Sequence, residues 1–192
     1  MRVFVAGASG VIGVRLLPLL VQDGHAVAGM TRSLEKLELL RRLGSQPVVC
    51  DVFDRTALNR AVVEFTPEAV ISELTDLPDD LEQLHAFAAA NARMRREGTR
   101  NLLDATVAAK ARRFLVQSIA WDLPGEAGAA VEELERMVLE ADGVVLRYGR
   151  LYGPGTFYET ELPEPPRLHV DQAAARTAKL LEAESGVITI TD

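Results

Sequence analysis

Three glycines, Gly7, Gly10 and Gly13, with Ser9 between the first two, are the residues of this chain best suited to meeting a phosphate. They lie in RVFVAGASGVIG, residues 2–13, directly behind the apolar run Val3, Phe4, Val5 and ahead of the helical spacing Val14, Leu16, Leu17, Leu20, Val21. Strand, glycine turn and helix in that order suit a dinucleotide. The first glycine allows the tight turn, the second lets backbone approach a pyrophosphate, and the third lets the helix pack closely on the strand. Amides entering the first helical turn, through Val11 and Ile12, are then free to meet an anion, with the helix dipole pointing the right way. Ser9 adds a hydroxyl to that cradle. The spacing is GxxGxxG rather than GxGxxG, and a tight turn without a ligand is the competing reading.

Cofactor choice falls to the end of the second apolar run. NAD enzymes commonly place an acid there for the ribose hydroxyls, whereas a 2′-phosphate is met by arginine or small hydroxyl residues. This chain has Thr31, Arg32 and Ser33, and Glu35 already belongs to the next helical pattern. NADP is therefore expected over NAD, with Arg32 as the phosphate partner and Lys36 as a second cation. An exposed arginine at a helix start is the alternative. Asp51, after the third apolar run, is suited to accept from an adenine amino group while Val52 covers the ring; it equally suits a helix N-cap.

Around these residues, apolar runs alternate with helical patterns along the whole chain. Strands are predicted at 26–31, 47–50, 69–74, 113–118, 144–147 and 187–191 besides the first. Helices are predicted from Ser33, with Leu34, Leu37, Leu40 and Leu43 inward, over 56–65, from Pro78, Asp79 and Asp80 to Ala109 with an interruption at Gly98, around 131–138, and over 170–183. Pro18 falls inside the first helix and should bend it. Residues 151–167 read as loop. Parallel strands need crossover connections, so this alternation implies an α/β doubly wound parallel sheet of about seven strands, with helices on both faces. At 192 residues and 48% hydrophobic content, one domain spanning 1–192 is expected. Ligands in such sheets sit beyond the carboxyl ends of the strands, which adds Leu74, Thr75, Ser118 and Tyr148 to the residues of interest.

A net charge of -7 argues against a nucleic-acid partner, and Arg93, Arg95 and Arg96 read as a solvated helix face. Cys50 is the single cysteine and is expected in a buried strand. His25, His85 and His169 have no metal-ligand spacing, so no metal is expected. No apolar run reaches bilayer length, and a soluble, cytoplasmic protein is expected.

Taken as an ordered set, VAGASGVIG, Asp51-Val52, GTRNLL at 98–103, RFLVQSIA at 113–120, LRYGRLYGPGT at 146–156 and HVDQAA at 169–174 resemble the short-chain dehydrogenase/reductases. The likeness is to the extended and atypical members, the NAD-dependent epimerase/dehydratase group. The resemblance implies hydride transfer between NADP(H) and a small carbonyl or sugar-like substrate. It places Thr75 beside the nicotinamide ribose, Ser118 as the hydroxyl that polarises a substrate carbonyl, and Tyr152 near the substrate pocket, and it implies a homodimer.

Two features depart from the family. Its tyrosine and lysine, spaced YxxxK, are absent: tyrosines stand only at 148, 152 and 158, and Tyr152, Thr156 and Leu162 lie four places on. The substrate-binding insertion after LYGPG is reduced to 156–168. Tyr148 and Tyr152 are then the substitute proton donors to consider, with Asp122 and His169 as further candidates that also read as structural. Trp121 reads as a pocket wall or a core plug. A non-catalytic dinucleotide-binding sensor or regulatory protein of the same fold is the alternative function.

Overall fold

The computed structural model describes residues 1–78 and 83–192; the helix-start residues Asp79 and Asp80 lie outside them. Its frame is a seven-stranded sheet of β1 (Arg2–Ala6), β2 (Ala26–Thr31), β3 (Gln46–Val49), β4 (Ala69–Ser72), β5 (Arg113–Ile119), β6 (Val144–Tyr148) and β9 (Gly186–Ile190). The order is β3-β2-β1-β4-β5-β6-β9, every pairing is parallel, and the order reverses between β1 and β4. That reversal opens a crevice at the carboxyl ends of the two strands.

Each face of the sheet buries its own core. Val3, Val5, Ile71, Leu115 and Leu146 point to α1 (Gly13–Gln22), α2 (Leu37–Arg42) and α7 (Val170–Ala178). Phe4, Ala28, Val70, Phe114, Val116 and Val145 point to α3 (Arg55–Phe65), α5 (Thr99–Ala108) and α6 (Gly125–Glu140). Strands covered on both faces must be apolar throughout, which is why VFVA, AVIS and VVL are continuous runs instead of alternating ones.

Several boundaries differ from the sequence expectation. The helix expected from Ser33 opens as a 3₁₀ turn over Leu34–Lys36, which leaves Leu34 71% exposed instead of inward. Strand β4 stops at Ser72, two residues short, although the Glu73 amide still donates to the Ala6 oxygen at 2.9 Å and Leu74 follows at the crevice edge. Gly98 closes a π-helical turn, Met94–Gly98, between α4 (Ala88–Arg93) and α5; it interrupts the α-helical pattern without ending the helix. The expected loop 151–167 is bounded by a short parallel pair, β7 (Arg150–Tyr152) and β8 (Arg167–His169). Helix α1 continues through Pro18. Among the described residues, no helix is long and apolar enough to cross a membrane.

Candidate functional site

The glycine turn closes between β1 and α1. Gly7 has φ +81°, and a Cβ on it would lie 2.6 Å from the backbone oxygen of Glu73. A Cβ on Gly13 would lie 2.5 Å from the oxygen of Gly7. Only glycine fits either place, because the obstruction is backbone that cannot swing aside. Gly10 differs: it is exposed, and its Cβ would approach the Gly7 oxygen only to 3.2 Å, pointing otherwise into open space. Among the described residues, the amides of Val11 and Ile12 have no hydrogen-bond acceptor. A bare loop surface with unspent donors at a helix N-terminus fits the chemistry of a bound diphosphate.

Arg15 holds this turn in place, and sequence reasoning missed it. Its guanidinium donates to the oxygens of Val11 and Pro154 and pairs with Asp171 on α7 at 2.6 Å. The signal was available: a cation in the first turn of a helix opposes the dipole and needs another reason to be there.

At the end of β2 the Ser9 and Thr31 hydroxyls are 2.9 Å apart, and the Ser33 amide donates to Thr31 Oγ1 at 3.2 Å. Arg32 is exposed and reaches Asp76 Oδ1 at 3.0 Å, and Asp76 is fixed by its amide donating to Asn91 Oδ1. Arg32 is the solvent-facing partner of this pair, and Asp76 is half-buried. Asp51 is exposed and accepts from the Phe53 amide at 2.9 Å. The N-cap of α3 is Asp54, accepting from the Ala57 amide, which removes the capping role considered for Asp51. Val52 is buried, with its carbonyl receiving Asn101 Nδ2. Leu74 is half-buried, its carbonyl accepts Gln117 Nε2, and Thr75 is exposed. Cys50 is buried as expected but lies one residue beyond β3, and burial pushes its thiol up to about 11.

The residues considered for proton transfer divide differently from expectation. Tyr148 is a core residue, 2% exposed, because β6 turns it toward α7: its hydroxyl donates to Glu73 Oε1 at 2.9 Å and lies 2.6 Å from Thr177 Oγ1. Burial and the neighbouring Glu73 hold its phenol well above the ordinary range, so it is unsuited to giving up a proton to a ligand. Tyr152 donates to Asp192 Oδ2 at 2.9 Å, and that bond raises its pKa, opposite to what a relay tyrosine needs. Ser118 is buried at the end of β5 and its hydroxyl donates to Glu135 Oε1 at 2.6 Å. His169 caps α7, its Nδ1 accepting from the Asp171 amide. Trp121 is half-buried beneath the Arg150 guanidinium, 4.8 Å from its ring centroid. Asp122 is exposed in the loop after β5.

The arginines expected on a solvated face are mostly engaged. Arg93 pairs with Glu97 over the Phe53 ring, and Arg96 binds Glu126 and Glu133 of α6. Arg95 is half-buried, and desolvation lowers its pKa.

Residues 7–148 match the family model for NAD(P)H-binding proteins. The chain belongs to that family. It is 38% identical to a 3-diazoavenalumate denitrifying reductase from Streptomyces, over an alignment covering the whole chain and 76% of the relative. That alignment runs to 238 positions against the 192 residues here, so the relative carries residues within the matched region that this family member lacks. Among solved structures, the NAD complex of UDP-glucose 4-epimerase from Thermus thermophilus superposes with a TM-score of 0.82 at 18% identity, covering all of this chain and 78% of that one. UDP-glucose 4-epimerase from Thermotoga maritima gives 0.79 at 19% identity, covering all of this chain and 77% of that one. The fold is thus that of the NAD-dependent epimerase/dehydratase enzymes, and the curated relative at 38% identity is a reductase.

Proposed function

We propose that this protein is a reductase that uses NADP(H) in preference to NAD(H) and transfers hydride to a small molecule. The observation that carries the reading is the glycine turn, where side chains are excluded at Gly7 and Gly13 while Gly10 and the amides of Val11 and Ile12 remain open. In this reading Gly7, Ser9, Gly10, Val11, Ile12 and Gly13 cradle the pyrophosphate. Thr31, Arg32 and Ser33 take the 2′-phosphate, Asp51 and Val52 flank the adenine, and Leu74 and Thr75 line the nicotinamide ribose. Bound there, the dinucleotide supplies the hydride.

What the chain's own residues do for the substrate is to orient it and exclude water, through Ser118 at the end of β5 and the loop carrying Tyr152. Reduction is favoured over epimerisation by the 38% identity to the Streptomyces reductase, against 18% and 19% to the two epimerases. A second reading, a sensor that holds the dinucleotide without turning it over, is favoured by the absence of a tyrosine–lysine pair on α6, which reads GEAGAAVEELERMVLE.

Arg32→Ala tests the cofactor assignment. A hydrogen bond to a charged group contributes about 1.5–3 kcal/mol, so NADPH affinity should fall roughly ten- to hundredfold while NADH affinity stays level. Equal loss for both dinucleotides in a calorimetric titration would remove Arg32 from the 2′-phosphate site.

A further inference from the structure

We infer that the group reduced in this site is cationic, because Ser118 is fixed as a hydrogen-bond acceptor toward the substrate. The inference rests on the reductase reading above, in which Ser118 meets the substrate, and deepens it by naming a substrate class.

The polarity follows from three side chains. Glu135, on α6, receives Ser118 Oγ at 2.6 Å and Arg147 Nε at 2.9 Å on one carboxylate oxygen, and Arg147 Nη2 at 2.5 Å on the other. Burial works to raise the Glu135 carboxyl, but the hydrogen bonds from Arg147 and Ser118 and the charge of Arg147 outweigh it and hold it below the usual glutamate range. An ionised carboxylate only accepts. The single proton of Ser118 is therefore committed to Glu135, and only lone pairs remain on Oγ.

That is the wrong polarity for a carbonyl. Hydride addition to a carbonyl builds negative charge on oxygen, which needs a donor facing it and then a proton. Serine lone pairs oppose the first requirement, and α6 carries neither tyrosine nor lysine for the second. A cationic acceptor meets both conditions. At an iminium carbon the hydride forms the new C–H bond with its own electron pair, and the C=N π pair moves onto nitrogen to leave a neutral amine. Oxidation of a dihydronicotinamide to its cation balances the step, and no proton enters or leaves. An arenediazonium belongs to the same class: the hydride pair forms the new C–H bond, the C–N bond breaks, and its electron pair leaves with neutral dinitrogen. Local charge agrees: Arg147 neutralises Glu135, and Asp122, which acts on Arg147 from the loop after β5, leaves the group net negative.

The test is calorimetric titration of the NADP⁺-loaded protein with N-methylisoquinolinium, a cation, and with 2-naphthaldehyde, a neutral carbonyl of similar size. The cation is expected to bind at least tenfold more tightly. Ser118→Ala leaves the Glu135–Arg147 pair in place and should remove most of that preference. Glu135→Gln offers one amide oxygen to the serine and both guanidinium donors, so it releases the serine proton to the cleft and should shift preference toward the aldehyde. Turnover of the N-methyl-3,4-dihydroisoquinolinium ion should stay level between pH 6 and 8, as a step without a proton requires. Equal binding of the two probes, tighter binding of the aldehyde, or an unchanged ratio in Ser118→Ala would overturn the inference. Failure of NADP⁺ to bind would instead bring down the reductase reading itself.

Discussion

Gly10→Ala is expected to leave the fold intact and to cost the protein its dinucleotide. The added methyl would stand 3.2 Å from the Gly7 oxygen and otherwise in open space, so the melting temperature should hardly move. The open space is where a pyrophosphate would lie against backbone, and a methyl there separates phosphate from the Val11 and Ile12 amides. Each lost hydrogen bond to a charged group is worth about 1.5–3 kcal/mol, so affinity should fall by tenfold to several hundredfold. Gly13→Val makes the contrast. Its Cβ would sit 2.5 Å from one backbone oxygen and 2.6 Å from another, and overpacking of this kind costs about 1–3 kcal/mol of stability. The two variants together separate a turn that binds from one that only folds. Normal NADPH binding by Gly10→Ala would show that the phosphate lies elsewhere.

Glu73→Gln is expected to change how stability depends on pH. Burial pushes the Glu73 carboxyl up to about 8, with the Tyr148 hydrogen bond working against that rise. Among the described residues, its Oε2 is the one buried side-chain polar atom without a partner. In the unfolded chain the group titrates near the ordinary glutamate value of about 4.3. Between that pH and about 8 the native state holds a proton that the unfolded state has released. Stability contributed by this group is thus fully present below about pH 4.3 and is lost as pH rises toward 8, at up to roughly 1.4 kcal/mol per pH unit. Glutamine keeps a neutral hydrogen-bonding side chain with no proton to release. Urea denaturation at pH 5, 6, 7 and 8 should therefore show the variant gaining on the wild type by a few kcal/mol across the range. Parallel curves for the two proteins would show that Glu73 is ionised in the native state at neutral pH.

The fold was legible because fully covered parallel strands must be apolar throughout, and VFVA, AVIS and VVL announce that in any window. The glycine turn was legible from the order of strand, glycines and helix; the backbone contact at Gly13 is local, with Gly7 and Ala8, whereas the one at Gly7 comes from Glu73, which the sequence does not place beside it. Side-chain partnerships between distant elements were not legible. Tyr148 read as a candidate donor because it directly follows the predicted strand 144–147 at the functional edge, yet its direction is set by Glu73 and Thr177, 75 and 29 residues away. Glu135 is one acid among several on α6. Its role emerges only when β5 and β6 bring Ser118 and Arg147 beside it. Leu34 kept helical spacing, but the 3₁₀ turn rotates it outward.

In the proposed function the glycine turn holds a dinucleotide and Arg32 makes NADPH the preferred one. The most direct measurement is thermal denaturation of the purified protein with increasing NADPH and, separately, NADH. A ligand that binds only the folded state stabilises it by about 2.7 kcal/mol at a hundred times its Kd. The melting temperature should therefore climb with NADPH at concentrations where NADH has little effect. No shift with either dinucleotide would contradict the account.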